Sequence, residues 1–202
     1  CETMASFVLE GFMNEAASEN ELGKKFREKY VLYAVPIVDK DGVQEGDQGK
    51  NRTPHDHNRD YIDKPLYPEI RAIKKLSESK KIDLCLDWHC PTLTMDIHQA
   101  VYFVGPKDKP LNNYNNVLNF ATNLKGFLPK KGPGFYRVSM KDWEKRTKNH
   151  FSDYFAAKER TIMSGTVEFP YAPKGKVMDG DSCRSYGIAF LKAWMATQFT
   201  EK

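Results

Sequence analysis

Apolar and polar positions along the 202-residue chain fall into short blocks whose period switches between helical and strand-like. Residues 2–16 put Met4, Phe7, Val8 and Phe12 at the i, i+3, i+4, i+8 spacing of one helix face. Leu9 and Met13 widen that stripe, which predicts a largely buried first helix. Residues 29–38, KYVLYAVPIV, form an unbroken aliphatic and aromatic run closed by DKDG, the pattern of a central strand followed by a turn. Residues 40–65 are polar and dense in Gly, Asp, Asn, Arg and His. A loop of that length without structure of its own is usually functional or disordered.

The second half repeats the alternation. A basic amphipathic helix over 68–79 precedes a strand ending near Asp87, then an irregular stretch through His98 and a strand over 100–105. Residues 111–128 predict a helix, 129–149 a Gly- and Pro-containing loop, 151–160 a helix and 161–170 a strand. The closing helix, 183–199, is expected to bury Ile188, Leu191, Met195 and Phe199. Strands alternating with helices argue for one α/β layered domain over residues 1–202 with a mostly parallel sheet.

Composition narrows the classes. With 40% hydrophobic and 29% charged positions the chain can bury a sizeable core. The net charge of +4 is mild, and the lysines sit in brief runs (GKKFREK, IKKLSESKK, PKKG) that suit a solvated surface better than nucleic acid. No apolar stretch approaches the roughly 20 residues of a membrane span. The chain has no initiator methionine and opens at Cys1 inside a predicted helix, so it is expected to be part of a longer protein.

Three metal-prone side chains in DLCLDWHCP (Cys85, His89, Cys90) raise the question of structural zinc. A cysteine-rich site draws two close pairs of ligands, and the four cysteines at 1, 85, 90 and 183 supply no second pair. Cys85 therefore reads as a small core residue. In α/β folds, ligands collect beyond the carboxyl ends of the strands. Three polar clusters stand there: GKNRTPHDHNRDY, DWHC and VEFP. Taken singly, each has two readings. Glu168 is either a buried carboxylate suited to general-base work or an edge carboxylate paired to a lysine. His89 is a ligand or a hydrogen-bonded structural residue. Arg52 alone reads as a loop charge, Asn58 and Arg59 as loop caps, and His55 and His57 as loop hydrogen-bonders.

Taken in order, CET, VDKDGV, GKNRT, DHNRDY, LDWHC and TVEFP resemble the zinc metallocarboxypeptidases, the superfamily of carboxypeptidase A and the cytosolic carboxypeptidases, over the whole chain. Those proteins run from a His-x-x-Glu motif through an Asn-Pro-Asp-Gly turn and a loop arginine to Asn-Arg, a strand-end histidine and a late-strand glutamate. The resemblance implies a three-layer α/β/α sandwich with a mixed, mostly parallel sheet, here without its N-terminal portion. It implies one zinc ion held by Glu2 and His89, with the first histidine two positions before Cys1. It further implies Arg52 as the oxyanion stabiliser, Asn58 and Arg59 as the clamp on a terminal carboxylate, and Glu168 as the general base. The implied reaction is hydrolysis of a C-terminal peptide bond by a zinc-activated water.

Departures are local. VDKDGV lacks the Asn-Pro, His57 stands where an apolar residue is commoner, and neither Tyr136 nor Tyr154 matches the lid tyrosine of digestive members. Two rival functions share the fold: an aspartoacylase- or desuccinylase-like hydrolase of acyl-amino acids, and a binding module without metal. A third, a cysteine hydrolase using Cys90 beside His89, is disfavoured because adjacent strand residues point apart.

Overall fold

A computed structural model describes residues 2–47, 49–91, 98, 100–104, 111–128, 149–172 and 178–201. The helices are α1 (Thr3–Ala17), α2 (Glu21–Lys29), α3 (Lys40–Glu45), α4 (Pro68–Ser79), α5 (Leu111–Phe127), α6 (Phe151–Ala156) and α7 (Gly180–Ala196). The strands are β1 (Leu84–His89), β2 (Tyr102–Val104) and β3 (Met163–Glu168). Local chemistry explains several ends. Asn20 accepts the Gly23 N–H to start α2, Asp179 accepts that of Ser182 to start α7, and Pro68 occupies the first turn of α4. Helix α3 starts on the Asp39 side chain and stops at Gly46, whose φ of 75° lies in the left-handed region.

β1 and β3 pair in parallel, from Leu84 opposite Met163 to His89 opposite Glu168. β2 lies antiparallel on the other side of β3, with Tyr102 opposite Glu168, giving a mixed sheet of order β1-β3-β2. Alternation along the strands sorts side chains onto two faces. Leu84, Leu86, Trp88, Met163, Val167 and Phe103 pack with Phe12, Phe120 and Phe190 of α1, α5 and α7. Cys85 turns the other way, into a smaller cluster with Ile70 of α4, Phe155 of α6 and Tyr61. Ser164 and Thr166, also on that face, bond Ser152 of α6. The sheet therefore lies between two helical layers.

Three expectations are corrected. Residues 29–38 are not a central strand: Lys29 ends α2, and the rest is irregular chain outside the described sheet, with Val31 78%, Val35 46% and Ile37 49% exposed. A strand needs a neighbour to take up its backbone donors and acceptors, and hydrophobicity alone supplies none. Helix α2 was not expected; its apolar positions are only Leu22 and Phe26, and its Asn20 cap is the stronger signal. On α7 the buried stripe runs through Cys183, Tyr186, Gly187, Phe190 and Leu191, while Ile188 and Met195 are only half-buried. Residues 129–148 of the expected loop lie outside the described residues, as does Tyr136. No helix among the described residues is long and apolar enough to cross a membrane.

The rotated stripe on α7 has a steric cause. A Cβ on Gly187 would lie 2.1 Å from the Val8 carbonyl oxygen, and one on Gly11 would lie 2.2 Å from that of Arg184. Helices α1 and α7 therefore meet backbone to backbone, and only glycine fits at the crossing. On β3, the Asn113 amide of α5 bonds both backbone groups of Ser164, accepting from its N–H at 2.6 Å and donating to its carbonyl at 3.1 Å. Among the described residues β2 pairs with β3 as far as Thr166, and the Asn113 amide serves the Ser164 backbone beyond that point.

Candidate metal and catalytic site

Parallel β1 and β3 end together, which aligns His89 and Glu168 side by side on the face opposite Trp88. Antiparallel β2 adds Tyr102 on the far side of Glu168. Helix α1 begins at the same place. Glu2, its first flanking residue, caps nothing; its carboxylate reaches out to the His89 Nδ1 (3.2 Å) and accepts the Cys90 N–H. Three of the residues implied by resemblance, Glu2, His89 and Glu168, thus gather at the carboxyl ends of the parallel strands.

The imidazole of His89 is held on its other side by Asp87, whose Oδ2 lies 2.8 Å from Nε2. Burial by itself would lower the His89 pKa, but Asp87, with Glu2 and Glu168, outweighs it and lifts the imidazole well above its ordinary value. Cys90 is different. Burial, together with the Glu2 charge, pushes its thiol up to about 12, so it stays protonated and is a poor nucleophile. The Cys90 Sγ accepts the Ala5 N–H at 3.3 Å, a structural contact. Tyr102, 1% exposed, and Tyr171 both have pKa values raised, chiefly by burial, with Glu168 adding to each.

Asn58 is drawn into the same cluster. Its Nδ2 stands 2.8 Å from both Asp87 Oδ2 and His89 Nε2, and its Oδ1 accepts the Phe151 N–H at 2.9 Å. Its amide is engaged at both ends. Arg59 Nη1 reaches Asn58 O, His150 Nδ1 and, at 3.5 Å, Asp56 Oδ2, and its side chain remains one-third exposed. Arg52 lies elsewhere in the loop: its Nε faces Asp39 at 3.2 Å and its Nη1 faces Glu45 at 3.0 Å and Asp47 at 2.6 Å. Its partners there are loop carboxylates, and the described contacts of Arg52 do not include Glu2, His89 or Glu168.

Asp60 organises the loop that delivers Asn58. Fully buried, it accepts the N–H groups of Leu66 and Tyr67 and pairs with His55 Nε2 at 2.8 Å. Burial would raise its pKa, but those hydrogen bonds outweigh it and hold the carboxyl below its usual range. His57 stacks on Tyr67 with ring centroids 3.7 Å apart. His55 is thus a hydrogen-bonding residue and His57 a packing one. Asp87 and Tyr102 were missed in the sequence. For Asp87 the signal was present: two residues before His89 on a strand, it must share its face.

No family model matches the chain. Over 94 residues it is 28% identical to cytosolic carboxypeptidase 3 of Bos taurus, covering 44% of this chain and 9% of that protein. A Plasmodium falciparum protein named as a zinc carboxypeptidase is 30% identical over 94 residues, covering 44% of this chain and 6% of its own. Among solved structures, a Burkholderia cenocepacia metallo-carboxypeptidase superposes with a TM-score of 0.79 at 18% identity, over 96% of this chain and 53% of that one. A Pseudomonas aeruginosa metallo-carboxypeptidase, solved with (2-guanidinoethylmercapto)succinic acid, gives 0.75 at 19% identity over 95% of this chain and 52% of its own. The chain therefore spans less than a tenth of these curated relatives and about half of these structural neighbours. Over those 94 residues the chain is similar in sequence to cytosolic and zinc carboxypeptidases, and over 95–96% of its length it shares the mixed α/β fold of the solved metallo-carboxypeptidases.

Proposed function

We propose that this chain forms part of a zinc-dependent metallocarboxypeptidase that hydrolyses the C-terminal peptide bond of a peptide. The observation that carries the reading is the gathering of Glu2, His89 and Glu168 at the shared carboxyl end of β1 and β3. The donor set suits zinc: Nδ1 of His89 and Oε1 of Glu2 stand 3.2 Å apart. Two donors about 2.0–2.1 Å from a tetrahedral ion would be about 3.3 Å apart. Glu2 and His89 would hold the ion, which when bound supplies Lewis acidity and a water acidic enough to react near neutral pH.

Glu168, aligned beside His89, takes a proton from the attacking water and returns it to the leaving amine. Arg59, its guanidinium partly open to solvent, grips the terminal carboxylate of the peptide. In this proposal Arg52 stabilises the oxyanion, which requires Glu45 and Asp47 to release it when substrate enters. Asn58 has the weakest support as a carboxylate ligand, because Asp87 and Phe151 already engage its amide.

The rival reading with the same fold is a binding module without metal. Zinc analysis of the full-length protein, paired with assays on peptides bearing free or amidated carboxyl ends, separates the two. Stoichiometric zinc with cleavage of the free-acid peptide alone supports the carboxypeptidase. A zinc-free, inactive protein supports the module, and turnover of acyl-amino acids in preference to peptides supports the amide-hydrolase rival.

A further inference from the structure

We infer that Asp87, steadied by Asn58, is a positioning residue that fixes the imidazole of His89 so that Nδ1 is presented toward Glu2. The inference rests on the proposed metal site, but its central element, the hydrogen bond that sets the tautomer, is testable without metal.

Asp87 and His89 are two apart on β1 and so project from one face of the sheet. Asp87 Oδ2 lies 2.8 Å from His89 Nε2, while Nδ1 points the opposite way, 3.2 Å from Glu2 Oε1. A neutral imidazole carries one proton. If Nε2–H donates to Asp87, the lone pair is left on Nδ1, where a metal ligand needs it.

Asn58 makes the choice consequential. Because its Oδ1 accepts the Phe151 N–H, its Nδ2 must be the end facing Asp87 and His89, at 2.8 Å from each. That amide nitrogen is a donor. With Asp87 present, the carboxylate accepts from both Asn58 and His89. Without it, Nε2 is the remaining described acceptor for the Asn58 amide, and the imidazole proton would move to Nδ1, facing Glu2, and block that nitrogen. Asp87 thus decides between two tautomers, and Asn58 sets the direction of the error if Asp87 is lost. Asn58 acts through Asp87 in this arrangement, and the terminal carboxylate of the substrate is left to Arg59.

The test uses the full-length protein and zinc alone. Zinc affinity is measured by chelator competition for the unaltered protein, Asp87→Ala, Asp87→Asn and Asn58→Ala. In parallel, the His89 tautomer is read from two-bond nitrogen–proton correlations in the metal-free protein, at a pH where the ring is neutral. Asp87→Ala should lower zinc affinity about 10–100-fold and shift His89 from the Nε2–H to the Nδ1–H form. Asp87→Asn keeps an acceptor for Nε2–H and should retain most of both properties, which separates positioning from mere loss of fold. Asn58→Ala should leave the tautomer unchanged. The inference is overturned if His89 is not in the Nε2–H form in the unaltered protein, or keeps that form in Asp87→Ala. It is overturned equally if Asp87→Ala holds zinc as tightly as the parent. Failure of the unaltered protein to bind zinc would sink the proposed function instead, and the tautomer measurement would still decide the role of Asp87.

Discussion

Replacing Gly187 by alanine tests how closely the two main helices approach. The added Cβ would lie 2.1 Å from the Val8 carbonyl oxygen, 2.4 Å from the Phe12 nitrogen and 2.8 Å from the Gly11 carbonyl carbon, all of them backbone atoms that no rotamer change can move aside. Even a close carbon–oxygen contact needs about 3.3 Å, so α1 and α7 must separate locally by about 1.2 Å. Overpacking of that severity belongs at the upper end of the usual range, about 3 kcal/mol. Alanine's better helix propensity returns about 1 kcal/mol. The net loss of about 2 kcal/mol corresponds to a fall in Tm of about 4–8 °C for a chain of this size. Gly126, on α5, is the matched control: nothing lies within 4 Å of its virtual Cβ. Gly126→Ala should therefore be neutral or stabilising by up to about 1 kcal/mol. Calorimetry or urea unfolding of the two variants reads the difference. Equal stability of Gly187→Ala and the parent would refute the backbone-to-backbone crossing. Because α1 carries Glu2, the same variant should also weaken zinc binding.

Asn113→Ala strips both backbone groups of Ser164 of their partners inside the protein. At about 1–3 kcal/mol for each buried unsatisfied group, the urea midpoint should fall by the equivalent of at least about 2 kcal/mol. Asp60 has a lowered carboxyl pKa, so the stability it contributes is present above the unfolded-state value and lost as pH falls through the folded one. The gap in unfolding free energy between the parent and Asp60→Asn should thus be constant near neutrality and close below about pH 4. Glu168→Gln should cut kcat on a free-acid peptide by about a hundredfold or more without loss of zinc, and a variant within threefold of the parent would remove Glu168 from the chemistry. With its thiol pushed up to about 12, Cys90 should react slowly with iodoacetamide at pH 7, and Cys90→Ala should keep its activity.

Sequence periodicity located α1, α4, α5 and all three strands because each carries enough apolar side chains to signal its buried face. It failed at residues 29–38, where hydrophobicity was as strong as in any strand but pairing depends on a neighbour that the run does not encode. It also misplaced the buried stripe of α7, because Gly187 and Cys183 add to a packed face without adding to a hydrophobic pattern. At the candidate site, motif order singled out Glu2, His89 and Glu168, which the fold places near one another. Asp87 was legible only through strand alternation, once His89 had been singled out. The embrace of Asn58 by Asp87 and Phe151 joins three distant segments, and no local pattern announces it.

The Asn113 amide on Ser164 has a consequence for how this sheet is held. Where a side chain takes up both backbone groups of a strand residue, one position does the work a neighbouring strand otherwise does. An apolar replacement would leave that N–H and carbonyl buried without partners, a cost paid at the heart of the sheet.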